Sequence, residues 1–195
     1  LVHQGSSVSA QERRNRFGHG AATILFTGLT GSGKTTLALE LERMLFERNV
    51  HAAVLDGQAM RMGLNRDLGF SAAERSENLR RSMELARMMN SVGTICLAAF
   101  VAPEERSREA AKELIGEDRF LLVHLDAPLD VCRERDSSGL YGRQESGEHA
   151  SIPGVTQPYD APDAPDLRID TGTISTADAA QQVIKLLEDR KLIDR

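Results

Sequence analysis

A chain of 195 residues, 41% hydrophobic and 27% charged, can bury one good core and has the composition of one ordinary globular domain. Its net charge of -5 argues against broad binding to nucleic acid, which draws on a basic face. No apolar run approaches the roughly 20 residues needed to span a bilayer, and the first twenty residues lack the apolar core of a secretory signal.

In chain order, residues 1–20 are polar, with an arginine cluster at Arg13, Arg14 and Arg16, and read as an N-terminal arm or a short exposed helix. Strands and helices then alternate. "AATILFTG" (21–28) is a short run of strand formers ending in glycine, and "KTTLALELERMLFERN" (34–49) carries apolar residues at helical spacing. "HAAVLDG" (51–57) is a second buried strand ending at Asp56. In "SAAERSENLRRSMELARMMNSVG" (71–93), Ser71 and Glu74 form a capping box and Gly93 follows the end of a long helix. A third strand (94–103) stops at Pro103, a helix follows (104–116), then a fourth strand (119–128) and a short helix (129–136).

The stretch 137–166 is rich in Gly, Pro, Ser and Asp and too long for a simple connection, so a functional lid is expected over about 137–160. A fifth strand (167–171) and a closing helix (175–192) complete the chain. This alternation predicts an α/β fold with a five-stranded, mostly parallel sheet and helices on both faces. Cys96 and Cys132 lie in apolar stretches, where buried thiols rather than a disulfide are expected, and a reducing cytoplasm fits best. The five histidines show no metal-ligand spacing.

Residues 28–35, "GLTGSGKT", match G-x-x-x-x-G-K-[ST] between a strand and a helix, the context that a phosphate-binding loop needs. Gly28, Thr30, Gly31, Ser32 and Gly33 supply the loop, whose glycines let backbone N–H groups turn toward phosphate oxygens, and the helix adds its positive end. Lys34 reaches the terminal phosphates as a point charge, Thr35 ligates Mg2+, and Thr36 bonds a nearer phosphate. The loop alone does not separate ATPases, GTPases and small kinases. "NRD" at 65–67 is not a guanine-reading motif and lies too early for one, and the chain lacks the length of a mechanical ATPase; a small kinase using ATP is favoured. Residues 21–195 then form a P-loop kinase domain.

Asp56 ends the second strand, at the carboxyl edge where ligands sit in such sheets. A carboxylate there can orient an acceptor hydroxyl, take its proton and hold a magnesium-bound water. Among the arginines that follow (Arg61, Arg66, Arg75, Arg80 and Arg81), a subset is expected to hold a doubly anionic acceptor and the rest to be surface charges. Phe70 is either a core residue or an exposed ring that stacks on a base.

The segments "GLTGSGKTT", "LDG", "GLNRDLGFSAAER", "DAPLDVCRERDSSGLY" and "PYDAPDAPDLRIDT" together resemble the adenylyl-sulfate kinase family over about 17–171. The resemblance implies a P-loop kinase that transfers the ATP γ-phosphate to the 3′-hydroxyl of adenosine 5′-phosphosulfate (APS), giving PAPS for sulfate assimilation. It implies a homodimer, with neither nucleic acid nor membrane as partner. By the same resemblance Asp56 is the base and magnesium partner. Arg61, Arg75 and Asn78 hold the phosphosulfate and ribose of APS, and Phe70 stacks on its adenine. Val101 and Ala102 line the acceptor pocket, and Arg135, with Arg143, steadies the transferring group on the ATP side.

The sequence departs from the family pattern in three places. Gln58 stands where the family's D-G-D has its second aspartate, and Ala102 replaces the serine of F-I-S-P. In the lid, Gly142 replaces a lysine, Glu145 reverses an arginine, Ala150 replaces a lysine, and Ile152 stands where a second stacking Phe is expected. Tyr159 is a candidate to replace that ring. These changes keep two other readings open: a kinase-like regulatory nucleotide-binding domain, and a kinase for another small anionic acceptor. A start other than Met and a polar arm would suit a domain of a fusion with ATP sulfurylase.

Overall fold

The computed structural model describes residues 6–136, 139–147 and 151–194. Its elements in chain order are α1 (Ala10–Phe17), β1 (Thr23–Thr27), α2 (Lys34–Glu47), β2 (Ala52–Asp56), α3 (Gly57–Arg61), α4 (Ala72–Ser91), β3 (Ile95–Ala99), α5 (Glu105–Ile115), β4 (Phe120–Leu125), α6 (Leu129–Glu134), α7 (Leu140–Glu145), β5 (Leu167–Ile169) and α8 (Thr176–Asp189). The five strands form one sheet in the order β2-β3-β1-β4-β5, and every pairing is parallel. The α/β expectation is borne out, with a sheet parallel throughout.

Burial on both faces explains the strand sequences. Every residue of β1 and β3 is buried, as a central parallel strand requires. One face of the sheet, with Ile24, Phe26, Leu97 and Val123, packs on Leu37 and Leu41 of α2 and Val183, Ile184 and Leu187 of α8. The other face, with Leu25, Cys96 and Ala98, packs on Leu79, Met83 and Ala86 of α4 and Ala111 and Ile115 of α5. The two cysteines are free and buried, and burial pushes the Cys96 thiol up to about 12.

Local signals set the helix ends. Ser71 caps α4 with the reciprocal Glu74 bond of a capping box, and Ser9 and Glu12 do the same for α1. The arm is thus a capped helix. Phe17 stacks on His51 with ring centroids 5.1 Å apart, and Gly20 N–H donates to Leu192 O at 2.7 Å, which docks the segment on the body. Two helices are not anticipated by the sequence pattern, α7 inside the expected lid and the five-residue α3. Helix α3 exists because the Asp56 side chain accepts from the Gln58 and Ala59 N–H groups and caps it. The strand expected over 94–103 stops at Ala99, and Ala102 sits at φ 42, the left-handed region. Among the described residues no helix is long and apolar enough to cross a membrane.

The start of the central strand is held by a buried polar staple. Asn90, near the end of α4, accepts from Thr23 Oγ1 at 2.8 Å and donates to Ala22 O and Thr94 O, each at 2.9 Å. Removing the amide leaves the buried Thr23 hydroxyl without its acceptor, at about 1–3 kcal/mol for an unsatisfied group, and takes one donor from the half-buried Thr94 O, while Ala22 O keeps Cys96 N–H. Asn90→Ala is therefore expected to cost at least one such increment of unfolding free energy, read as a lower denaturant midpoint at an unchanged m-value; a midpoint equal to the parent's would remove the staple from the account of stability.

Candidate active site

The carboxyl ends of the strands bring the site together. The loop after β1 carries Gly28 at φ 150, Gly31 at φ 84 and Gly33 at φ 93. At Gly31 the constraint is steric as well: a Cβ there would lie 2.3 Å from Cys132 O, so α6 packs directly against the loop and only glycine fits. Two groups hold the loop from outside. Tyr141 of α7 donates its hydroxyl to Thr30 O at 2.8 Å, and Thr171, after β5, donates to Ser32 O at 2.9 Å.

Lys34 is buried and folds onto its own loop, donating to Gly28 O at 3.0 Å, Leu29 O at 2.6 Å and Ser32 Oγ at 3.4 Å. Burial pulls its ammonium down to about 8, partly offset by the Cys132 and Asp56 groups nearby. Thr35 lies at the mouth of the loop and donates its hydroxyl to Asp56 Oδ2 at 2.7 Å. Asp56 reaches this point because β2 pairs with β3, which pairs with β1: Asp56 is level with Ala99, and Ala99 with Phe26. Asp56 Oδ1 caps α3, so its two oxygens have separate roles. A hydroxyl and a carboxylate are hard oxygen donors that suit Mg2+, and no cluster of three or more His, Cys, Asp or Glu residues competes for a metal among the described residues.

On one side of the loop a cleft is lined by Ser32, Gly33, Thr36, Arg135, Thr171 and Ile174. Arg135, which ends α6, donates to Thr171 O at 2.9 Å. On the other side stand the residues expected to hold an acceptor. Arg61 donates to Gly57 O at 2.7 Å and Gly69 O at 2.9 Å, and burial lowers its pKa. Its guanidinium lies 4.5 Å from the centroid of the Phe70 ring, which is 58% exposed. Phe70 is thus a presented ring and not a core residue. Asn78 is buried and donates to Gly57 O at 3.2 Å.

Sequence reasoning missed Asn65. It is fully buried and donates to Asn78 Oδ1 at 2.7 Å, which fixes the orientation of the Asn78 amide. The signal was its place in "GLNRD", within the stretch that carries Arg61 and Phe70. Arg66 is exposed, while Arg80 and Arg81 are engaged by Glu77, Glu84 and Asp67 on the surface, as the surplus of arginines required.

Arg75 of α4 does not stand open: it donates to the lid residue Ser151, at its O and, at 3.1 Å, at its Oγ. Ile152 is fully buried with Ala127, Cys132 and Tyr141, so it packs the base of the lid and presents nothing to a ligand. Tyr159, considered as a replacement stacking ring, instead lies against His124 with centroids 6.0 Å apart. Glu145 is 3.9 Å from Arg133 of α6, which gives the reversed charge a partner within the chain. Gly142 lies within α7. Ala150, and residues 137–138 and 148–149 of the expected lid, fall outside the described residues.

Comparison with known proteins agrees with this geometry. The family model for adenylylsulphate kinase matches residues 20–170. The chain is 54% identical over 183 residues to the bifunctional enzyme CysN/CysC of Rhodopirellula baltica, covering 94% of this chain and 28% of that protein. It is 40% identical over 193 residues to the adenylyl-sulfate kinase of Staphylococcus carnosus, covering 99% of this chain and 97% of that one. The structure of the Mycobacterium tuberculosis APS kinase CysC in complex with AMPPNP and APS superposes with a TM-score of 0.83 at 41% identity, over 87% of this chain and 99% of that one. This chain therefore spans less than a third of the bifunctional relative and nearly all of the free-standing kinase. A phosphate loop in register with Asp56, an exposed Phe70 and a family match over three-quarters of the sequence lead to one conclusion: the chain belongs to the adenylylsulphate kinase family.

Proposed function

We propose that the chain transfers the γ-phosphate of ATP to the 3′-hydroxyl of APS, giving PAPS. The observation that carries this reading is the 2.7 Å contact between Thr35 and Asp56, which joins the phosphate loop to the side of the site holding Arg61, Phe70 and Asn78. Asp56 Oδ2 orients the acceptor hydroxyl and receives its proton, while Oδ1 remains on the α3 amides. Lys34 leaves the loop carbonyls for the β- and γ-phosphates. Gly31, Gly33, Thr35 and Thr36 offer N–H groups to the phosphate chain at the positive end of α2, while the Ser32 N–H holds Leu29 O. Thr35 and Asp56 would hold Mg2+, which would supply positive charge against the transferring phosphate. Arg135 and Arg143 face the same charge from the lid side and Tyr141 keeps the loop in shape, so that closure excludes water as a competing acceptor.

On the acceptor side, Arg61 and Arg75 take the phosphosulfate, and Asn78, oriented by Asn65, takes the ribose. Phe70 stacks on the adenine alone, because Ile152 is buried in the lid base. The chain works as a kinase unit of sulfate activation, as a dimer or joined to ATP sulfurylase. The length of the bifunctional relative supports the joined arrangement. The buried Ile152 and the Arg133–Glu145 pair favour one rival, a regulatory nucleotide site with weakened acceptor binding.

Turnover of Mg-ATP with and without APS, with the nucleotides separated, tests the reading: APS-dependent ADP with an equal amount of PAPS is expected. ATP binding with no PAPS over a wide APS range would transfer the assignment to the regulatory rival. Lys34→Ala should abolish transfer in a folded protein, and Asp56→Asn should spare ATP binding while cutting kcat by two or more orders of magnitude, about the worth of a general base. Near-parent turnover in either variant removes that residue from the mechanism. Phe70→Ala should raise the KM for APS roughly 5- to 150-fold, the worth of one base–aromatic stack; an unchanged KM places the adenine elsewhere.

The lysine also predicts a pH effect. Its free pKa is about 8, and bound phosphates raise it. Above pH 8 the free lysine is increasingly neutral, so ATP binding takes up a proton and ATP affinity falls as pH rises. Calorimetry at pH 9 in two buffers of different ionisation heat should show uptake approaching one proton. No uptake would mean that Lys34 does not meet the phosphates.

A further inference from the structure

A polar cluster lies on the α5 side of the sheet, where β1 and β4 end. Thr27, the last residue of β1, is fully buried and immediately precedes the phosphate loop. Its hydroxyl donates to Val101 O at 2.6 Å and lies 3.4 Å from Ala102 O and 3.0 Å from the Tyr159 hydroxyl. A threonine hydroxyl has one hydrogen. With that hydrogen given to Val101, Tyr159 must be the donor in the second bond. Burial pushes the Tyr159 phenol up, so it stays protonated and able to donate. Its ring is fixed against His124, which pairs with Thr27 across the β1–β4 ladder.

The same turn is held twice more. Arg108 of α5, 1% exposed, donates to Ala102 O at 2.8 Å, and Asp160 N–H donates to Pro103 O at 2.8 Å. These bonds maintain Ala102 at φ 42, which an alanine adopts only when its surroundings require it. The turn also supports the acceptor side. Phe100 lies 3.1 Å from the position of a Cβ on Gly57, and Gly57 O receives both Arg61 Nη1 and Asn78 Nδ2. The path from Tyr159 to the acceptor residues is therefore continuous, and it runs on the opposite side of β1 from α2 and α8.

We propose that Tyr159, acting through Thr27, fixes the 101–102 turn on which the acceptor side of the site rests, so that Tyr159 and Thr27 are positioning residues for acceptor binding. The proposal deepens the kinase reading above and rests on it for the identity of the acceptor. It also gives the return stem of the lid a role, since residue 159 joins the lid to the residue just before the phosphate loop.

The test uses the full chain with Tyr159→Phe, which keeps the ring and loses the hydroxyl, and with Thr27→Val and Thr27→Ser. APS affinity is measured by calorimetry, and KM and kcat by Mg-ATP turnover. Tyr159→Phe and Thr27→Val should each weaken APS binding and raise its KM about 3- to 10-fold, the range for one neutral hydrogen bond, with the KM for ATP within about twofold of the parent. Thr27→Ser should stay near the parent. The double variant should lose little more than either single one, because both act on one contact. Parent-like APS affinity in Tyr159→Phe and Thr27→Val overturns the proposal, as do equal losses for ATP and APS that follow a fall in Tm. A parent chain that binds APS and makes no PAPS overturns the kinase reading alone, and the binding comparison still decides the positioning role. A parent chain that binds no APS overturns both.

Discussion

The shape of the phosphate loop is the constraint on which the rest of the site depends, and most of what fixes it lies outside the loop. Gly31 is pressed against the Cys132 carbonyl, Thr30 O receives Tyr141, and Ser32 O receives Thr171. A loop of glycines has many accessible conformations and loses much entropy on being ordered. Here α6, α7 and the turn after β5 supply contacts that offset that loss. These elements all lie far from the loop in sequence, and the parallel sheet delivers them to one edge.

Much of this was legible in the sequence, and the reason differs between parts. The phosphate loop and the capping box at Ser71 are local patterns whose chemistry depends on spacing alone, so they could be read directly. The strand-helix alternation gave the sheet because each buried strand is a short apolar run. Asp56 could be read from its place at the end of a strand, and Phe70 from its resemblance to a stacking ring. What could not be read were contacts made by tertiary approach. Asn65 behind Asn78, Ser151 on Arg75, and Tyr159 turned inward onto His124 all depend on where a loop lands. Helix α3 was missed for another reason: five residues are too few to show a period, and its cap is the residue singled out for catalysis.

The lid shows how the departures from the family pattern are absorbed. Ile152 is smaller than the ring it replaces and fills a pocket against Tyr141 and Cys132, so its burial stabilises the lid base. Glu145, a reversed charge, lies 3.9 Å from Arg133; an exposed pair of that kind contributes about 0–1 kcal/mol. Arg75 rests on Ser151 and exchanges this partner for any anion it binds. The lid departures leave the loop, Asp56 and Phe70 in place, while Gln58 lies in α3 with its N–H on Asp56 Oδ1 and Ala102 in the turn after β3.

Lys34 carries a consequence for selectivity. Because its ammonium already holds two carbonyls and a hydroxyl, a ligand gains from it only the difference between old partners and new. A neutral oxygen offers about what the loop already provides and gains almost nothing. A phosphate oxygen, which carries negative charge, would win the trade. In the proposed reading the lysine thus discriminates by charge, with a threshold set by the carbonyls and hydroxyl that it already holds.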